Sequence, residues 1–446
     1  MLLTGRFGWY PVSRQEAEAT NGPSFMSNFP TSKFPVPRLV DCASIVHESV
    51  SLRRIVAPIS LAVFLAMIPV TMLVPVLKEV VADRFGVSIF WTHGFMSINM
   101  VGAIVAAPLG GILADRLGKR KRILIAAFLC DAILLWALGS VKNFPLFMAL
   151  RLCEGMSHIL ALTTLMAIAS DWAPSGRRGR MMGVIGAAMM FGTTVGSPLG
   201  GVVGRAAPLL VFPIGALIAL AAGLLVVFFV READDRRNGI TFGDVRRLVR
   251  THRALAVPYA YAFIDRLCVG VIISTFVLYL NDSLLLAPHQ IGMMMACFML
   301  PFAALTYPAG RLIDRFGRVW PIALGSIAFG IVFATYGLWS PDLLVVAMVI
   351  SGVLSAAMFA PNLALCADLS PRGFSATAFA GFNVAGSLGF LCGPLLGGIL
   401  CTFLLPAAGD ASGYRITLGL AGATEILCAL ITLPMLLRLR RRGLIT

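Results

Sequence analysis

Two stretches decide the reading: GGILADRLGKRKRIL, Gly110–Leu124, and AGRLIDRFGRVWPI, Ala309–Ile322. Asp115 and Asp314, Arg116 and Arg315, and Gly118 and Gly317 each lie 199 positions apart. Further along, Gly192, Gly196, Gly200 and Gly201 recur 197 positions later as Gly389, Gly393, Gly397 and Gly398. Two matches in the same order, at nearly the same offset, mark the chain as an internal duplication.

On either side of these stretches lie apolar runs. Crossing ~30 Å of hydrocarbon takes about 20 apolar residues in a helix. Runs of that length lie near 55–77, 91–113, 123–141, 145–169, 181–203 and 208–230, and again near 256–280, 290–312, 319–339, 342–366, 375–400 and 414–437. The expected fold is an all-α membrane protein of twelve transmembrane helices. Its segments are a polar, disordered tail (1–54), a six-helix half (55–230), a charged linker (231–255), a second six-helix half (256–437) and a basic tail (438–446). Composition agrees: of 446 residues 58% are hydrophobic and 13% charged, against roughly 25% charged in a soluble domain.

The formal charge of +15 would suggest nucleic acid in a soluble protein. Here the basic residues sit in short clusters between apolar runs, where they encode topology instead. With the N-terminus inside, the inner loops carry Arg116, Lys119 to Arg122, Arg177, Arg178, Arg180, Arg311, Arg315, Arg318, Arg372 and Arg438 to Arg442. The outer loops hold Lys78, Arg84, Lys142, Arg205 and Arg415. Both termini are therefore expected in the cytoplasm. The preponderance of Arg over Lys points to a GC-rich, bacterial coding sequence and so to a bacterial inner membrane.

No GxxxxGK[ST] nucleotide loop, Ser/His/Asp set or metal cluster is visible in the loops. The nine cysteines lie mostly within apolar runs and read as small buried hydrophobes, not as disulfides or metal ligands. No enzyme, cofactor, nucleotide or nucleic-acid partner is expected. A monomer in a lipid bilayer suffices.

GGILADRLGKRK resembles motif A of the major facilitator superfamily, on Gly111, Leu113, Ala114, Asp115, Arg116, Gly118, Lys119 and Arg120. Arg151-Leu-Cys-Glu154-Gly155 is similar to motif B, with Glu in place of Gln. The run from Gly192 to Gly201 resembles motif C, the signature of drug:proton exporters, with Pro198 one place later than in the family. The resemblance spans 55–437 and implies a carrier that exposes one central substrate site to each side of the membrane in turn. It also implies that the motif A cluster latches the cytoplasmic side. Gly111, Asp115, Arg116, Gly118, Arg177, Asp314 and Arg315 are the gating candidates, with a purely topogenic role as the alternative for the cations.

Ionisable groups inside a span are costly and usually face a cavity or a partner. Arg151, Glu154 and His158 are spaced i, i+3, i+7, along one face of a helix, and Asp131 lies at similar depth on the preceding one. These four form the candidate site for binding and releasing a coupling proton. A permanent Arg151–Glu154 or Arg151–Asp131 pair that only joins helices is the other reading. In the second half Asp265, Tyr261 and Glu425 are candidate substrate contacts. Gly192, Gly196 and Gly200, with Pro198, and Gly389, Gly393 and Gly397, with Pro394, fall on one face of each helix, where small residues allow close packing. A hinge-capable contact between the halves and ordinary small-residue packing are equally open readings there. The functional expectation is proton-coupled export of small amphiphilic compounds. An uptake carrier or facilitator, and a membrane sensor that does not transport, are the alternatives.

Overall fold

The computed structural model describes the chain from residue 42 to residue 445, apart from 118–119, 173–177, most of 232–251, 371–374 and 444. Side chains at 42–54, 107–117, 170–171, 178–183, 307, 310–316 and 375–377 also lie outside the described set. The contacts below belong to the compact unit Val50–Thr446.

In lipid, backbone polar groups must be paired within the chain, which leaves the helix as the available form for runs of this kind. The first half contains α1 (Cys42–Met72), α2 (Ile89–Leu117), α3 (Arg120–Ser140), α4 (Phe144–Trp172), α5 (Arg178–Ala206) and α6 (Val211–Phe229). In the second half α7 runs as Ala256–Val271, a π-helical stretch Ile272–Phe276, and Val277–Asp282. Then come α8 (Pro288–Phe316), α9 (Val319–Ala334), α10 (Pro341–Asp368), α11 (Ser375–Ala408) and α12 (Asp410–Arg441). The duplication extends to irregularities: α1 likewise continues through a 3₁₀ turn, Val74–Val76, into a π-helical stretch, Lys78–Asp83. Gly317, in the second copy of the repeated loop, takes φ 73°, a left-handed conformation that glycine adopts without strain. Its counterpart Gly118 lies outside the described residues.

Three expectations need correction. Helix α1 begins at Cys42, so residues 42–54 are helical and not part of an irregular tail. Helix α12 runs to Arg441, into the segment expected as a basic tail; cations there complement the helix C-terminus. Among the described residues eleven helices are long and apolar enough to cross a membrane. The twelfth expected span, α5, is not among them, because its glycines, threonines, Ser197 and Pro198 dilute its apolar character.

The outward faces are apolar: Trp136, Leu217, Phe228, Leu427 and Ile431 are all more than half exposed, which suits lipid and not water. Inside, α5 packs on α8, and α2 on α11, and these two contacts join the halves. Four polar links cross between the halves at the end of the bundle that carries Lys78. Lys78 Nζ meets Asp282 Oδ1 at 2.5 Å, and Asn281 donates to Glu79 Oε1 at 3.1 Å. His93 Nε2 lies 2.9 Å from Thr275 Oγ1, and Ser97 donates to the carbonyl of Leu391 at 3.2 Å.

Of the repeated glycines, Gly192, Gly196, Gly200, Gly389 and Gly393 pack within their own halves, and Gly397 meets both α7 and His93 of the other half. A Cβ on Gly192, Gly196 or Gly200 would collide with the α1 backbone at Phe64, Ile68 or Met72. One on Gly389 or Gly393 would collide with the α7 carbonyls of Phe263 or Leu267, and one on Gly397 with Thr275 Oγ1. Spacing of four defines a face but not the helix that meets it. The neighbouring positions turn to the other half instead: Gly201 packs on Pro288 and His289, and Gly398 on His93. Pro198 is also at this contact, facing Gly292 of α8, whereas Pro394 packs on Gly270 of α7.

Candidate functional site

Helices α3 and α4 pack side by side, and α2 covers α4. Close approach of α2 and α4 comes from two glycines that meet backbone: a Cβ on Gly102 would strike the carbonyl of Leu152, and one on Gly155 the carbonyl of Asn99. The i, i+3, i+7 residues of α4 therefore point into a tight space. Arg151 and Glu154 are 2% exposed, and Asp131 of α3 is also 2% exposed.

Arg151 Nη1 donates to Glu154 Oε2 at 2.6 Å. Asn99 Nδ2 donates to the same oxygen at 2.5 Å. The Arg151 guanidinium also lies 4.7 Å from the centre of the Phe95 ring, a favourable cation–π position. His158 Nδ1 is 3.9 Å from Asp131 Oδ2. Arg151 Nε and Asp131 Oδ1 have no hydrogen-bond partner. The structure thus brings together all four residues expected at this centre. It resolves them into two adjacent pairs, Arg151–Glu154 and Asp131–His158. Chemically the centre has two carboxylates, a fixed cation and an imidazole that can take up a proton, with spare capacity on Asp131.

Sequence reasoning missed Asn99, Phe95 and His93. Asn99 and His93 are polar side chains inside the run 91–113, and the rule applied to ionisable residues would have flagged His93. Phe95 carries no such signal.

In the second half, Tyr261, Asp265 and Glu425 line one cavity together with Ser326, Met358, Phe359 and Asn362. It offers about 10 Å³ to the centre of a water-sized sphere, about enough for one water molecule. Glu425 is 0% exposed despite its place on α12. All seven lining residues belong to the second half. Arg266 keeps its Nε 3.8 Å from Asp265 Oδ2 while reaching toward α11, packing on Gly386 and Gly389 and over the rings of Phe359 and Phe390.

Of the gating candidates, Gly118 and Arg177 lie outside the described residues. Gly111, Asp115 and Arg116 fall in α2, and Asp314 and Arg315 in α8, with side chains outside the described set. Near the second copy of the repeated loop, Arg318 pairs with Asp368 of α10.

The model of the Major Facilitator Superfamily matches residues 59–269 and 259–444. A multi-drug resistance efflux pump PmrA homolog of Lactococcus lactis is 25% identical over 69% of this chain and 78% of its own. The magnetosome protein MamH of Paramagnetospirillum magneticum is 26% identical over 67% and 74%. The class G tetracycline resistance protein of Vibrio anguillarum is 27% identical over 58% and 67%. Among solved structures, a bacterial homolog of the human lysosomal transporter Spinster, in an inward-facing and occupied conformation, aligns with TM-score 0.70 at 15% identity. That match covers 84% of this chain and 94% of the other. The nucleoside transporter NupG aligns with TM-score 0.70 at 14% identity, over 85% and 98%. With a family model matched along nearly the whole helical bundle, the chain belongs to the Major Facilitator Superfamily of membrane transporters.

Proposed function

We propose that this transporter exports small amphiphilic compounds in exchange for protons, by alternating access in a bacterial inner membrane, as a monomer with both termini cytoplasmic. The observation that carries the reading is the pairing of Arg151–Glu154 with Asp131–His158 in one buried centre. A carboxylate that binds a proton releases its hold on a neighbouring cation, so protonation of Glu154 or Asp131 would rearrange both pairs. Arg151 keeps Glu154 oriented through its guanidinium, and Asn99 holds the same oxygen from α2. The Asp131 oxygen with no partner is the natural entry point for a proton.

Support for the exported class comes from relatives described as a multi-drug efflux pump and tetracycline resistance proteins. In this reading the closed Lys78 end faces outward, and motif A, with Asp115, Arg116 and Arg177, gates the cytoplasmic side.

Everted membrane vesicles with an acidified interior test the proposal. Adding a panel of lipophilic cations and neutral amphiphiles is expected to make the interior more alkaline in wild type. Glu154→Gln and Asp131→Asn should each abolish that signal. Symport would reverse the direction of coupling. No flux with any compound, or full flux in both variants, would remove the proposal.

A further inference from the structure

Arg266 lies inside the α7 span, and the proton-exchange reading gives it no task. A guanidinium carries five N–H donors and cannot be deprotonated in a protein. Here one edge alone is engaged: Nε is 3.8 Å from Asp265 Oδ2, a charge contact too long for a hydrogen bond. Among the described residues no hydrogen bond reaches either Nη atom. The side chain is 19% exposed, and its unpaired Nη atoms are not sealed in the interior.

The surroundings say what those donors face. The guanidinium carbon lies 5.3 Å from the ring centres of Phe359 on α10 and Phe390 on α11. Its stem rests on Gly386 and Gly389, which keep α11 close. Beside these glycines Asn383 is exposed and Ser387 half-buried, and with Phe390 they are spaced i, i+4, i+7, along one face of α11. Lipid solvates neither an amide nor a guanidinium, so this face looks onto water. The same stretch of α11 touches the first half: Leu391 accepts from Ser97 of α2, and Asn99 of α2 holds Glu154.

Open N–H donors beside two aromatic rings, wetted in the middle of an apolar span, suit one kind of ligand. Its polar end must accept hydrogen bonds, and its body must be flat and apolar to lie against the rings. Asp265 already balances the charge, so the ligand need not be an anion, while the exposed guanidinium repels cations. We propose that Arg266 is the specificity-determining residue for the exported compound, selecting flat amphiphiles that end in acceptor oxygen, a carboxylate or a conjugated carbonyl, over lipophilic cations. A carboxylate engages both Nη atoms in the bidentate, charge-assisted pair that guanidinium favours; a carbonyl engages one. The assignment names a substrate class within the export reading and rests on it for the direction of transport, but binding at Arg266 is measured without transport.

Three naphthalene probes share a body and differ in the head group: naphthoate, naphthamide and naphthylmethylammonium. Naphthoate binding to purified full-length protein in detergent, at neutral pH, is read by its fluorescence anisotropy, with the other two as competitors. Naphthoate is expected to bind saturably, the amide to compete more weakly, and the ammonium not to compete. Arg266→Gln should weaken naphthoate about tenfold or more. Arg266→Lys should recover only part of that, because an ammonium cannot present the fork. Phe390→Leu keeps the charge and removes a ring; it should weaken naphthoate about threefold or more, and it carries the test if the arginine variants do not fold. Naphthoate binding with no proton flux in vesicles would keep this assignment and remove the exchange reading, whereas flux driven equally by the ammonium would do the reverse. No naphthoate binding, equal competition by the ammonium, or unchanged affinity in Arg266→Gln and Phe390→Leu, as for an arginine that only packs helices, would overturn the assignment.

Discussion

Lys78 Nζ lies 2.5 Å from Asp282 Oδ1 although the two residues come from opposite halves of the duplication. Asp282 also accepts the Tyr414 hydroxyl at 2.6 Å, so its carboxylate is held from two directions. Each residue sits at a boundary of a π-helical or short helical extension of α1 or α7. The polar tie between the halves thus joins the start of the π-helical stretch after α1 to the last residue of α7.

The tie should be modest in energy. Its two side chains are 31% and 27% exposed, and pairs of that kind contribute about 0.2–1 kcal/mol. Lys78→Ala is expected to raise the population open at this end by about 1.5- to 5-fold. Distance distributions between spin labels on the α1 and α7 ends check this, and an unchanged distribution would refute it.

The same end should loosen as pH rises. Burial holds the Glu79 carboxyl above its ordinary value, and the hydrogen bond to Asp282 raises the Lys78 ammonium. Both groups therefore hold their protons more tightly when this end is closed than when it is open and hydrated. Their stabilisation is complete below the ordinary values and is lost as pH rises through the raised ones. For Glu79 that window begins at the ordinary carboxylate value of 4.5; for Lys78 it begins at 10.5. Glu79→Gln should flatten the lower step of a hydrogen-exchange profile of residues 74–83 and leave the upper one.

Arg151 and Glu154 separate stability from transport. Both side chains are 3% exposed, so Glu154→Gln leaves a buried guanidinium without its anion, at a cost of about 3–5 kcal/mol. The double variant Arg151→Met, Glu154→Leu removes both charges and should recover most of that stability while remaining unable to transport. Thermal unfolding and vesicle flux report the two effects. Normal flux in the double variant would reduce the pair to a structural tie.

Two glycines should respond oppositely to alanine. At Gly155 the added methyl would meet the backbone of Asn99, and at Gly186 it meets open space within 4 Å. Gly155→Ala is expected to destabilise by about 1–3 kcal/mol. Gly186→Ala, inside α5, should stabilise by up to about 1 kcal/mol through helix propensity. Equal unfolding temperatures for the two variants would contradict the α2–α4 packing.

The duplication and nearly all the helices were legible in the sequence because a lipid-spanning helix needs a long run of one residue class. Helix α5 was legible as a run, yet its glycines weaken that very signal. The α3–α4 centre was legible because charge within such a run has few uses. What could not be read was partnership. Nothing in the spacing of Gly192, Gly196 and Gly200 says that α1, and not the other half, receives them. Nor does the sequence place Glu425 of α12 beside Asn362 of α10; that neighbourhood exists only once four helices close together. Asn99 was overlooked for a different reason: an amide in an apolar run was given less weight than an acid.

The seats that α1 offers to the glycines of α5, and α7 to those of α11, have a mechanical consequence. Helices whose backbones touch cannot slide or tilt alone without driving one main chain into another. Motion that opens the bundle must carry α1 with α5, and α7 with α11, as two stiff ribs.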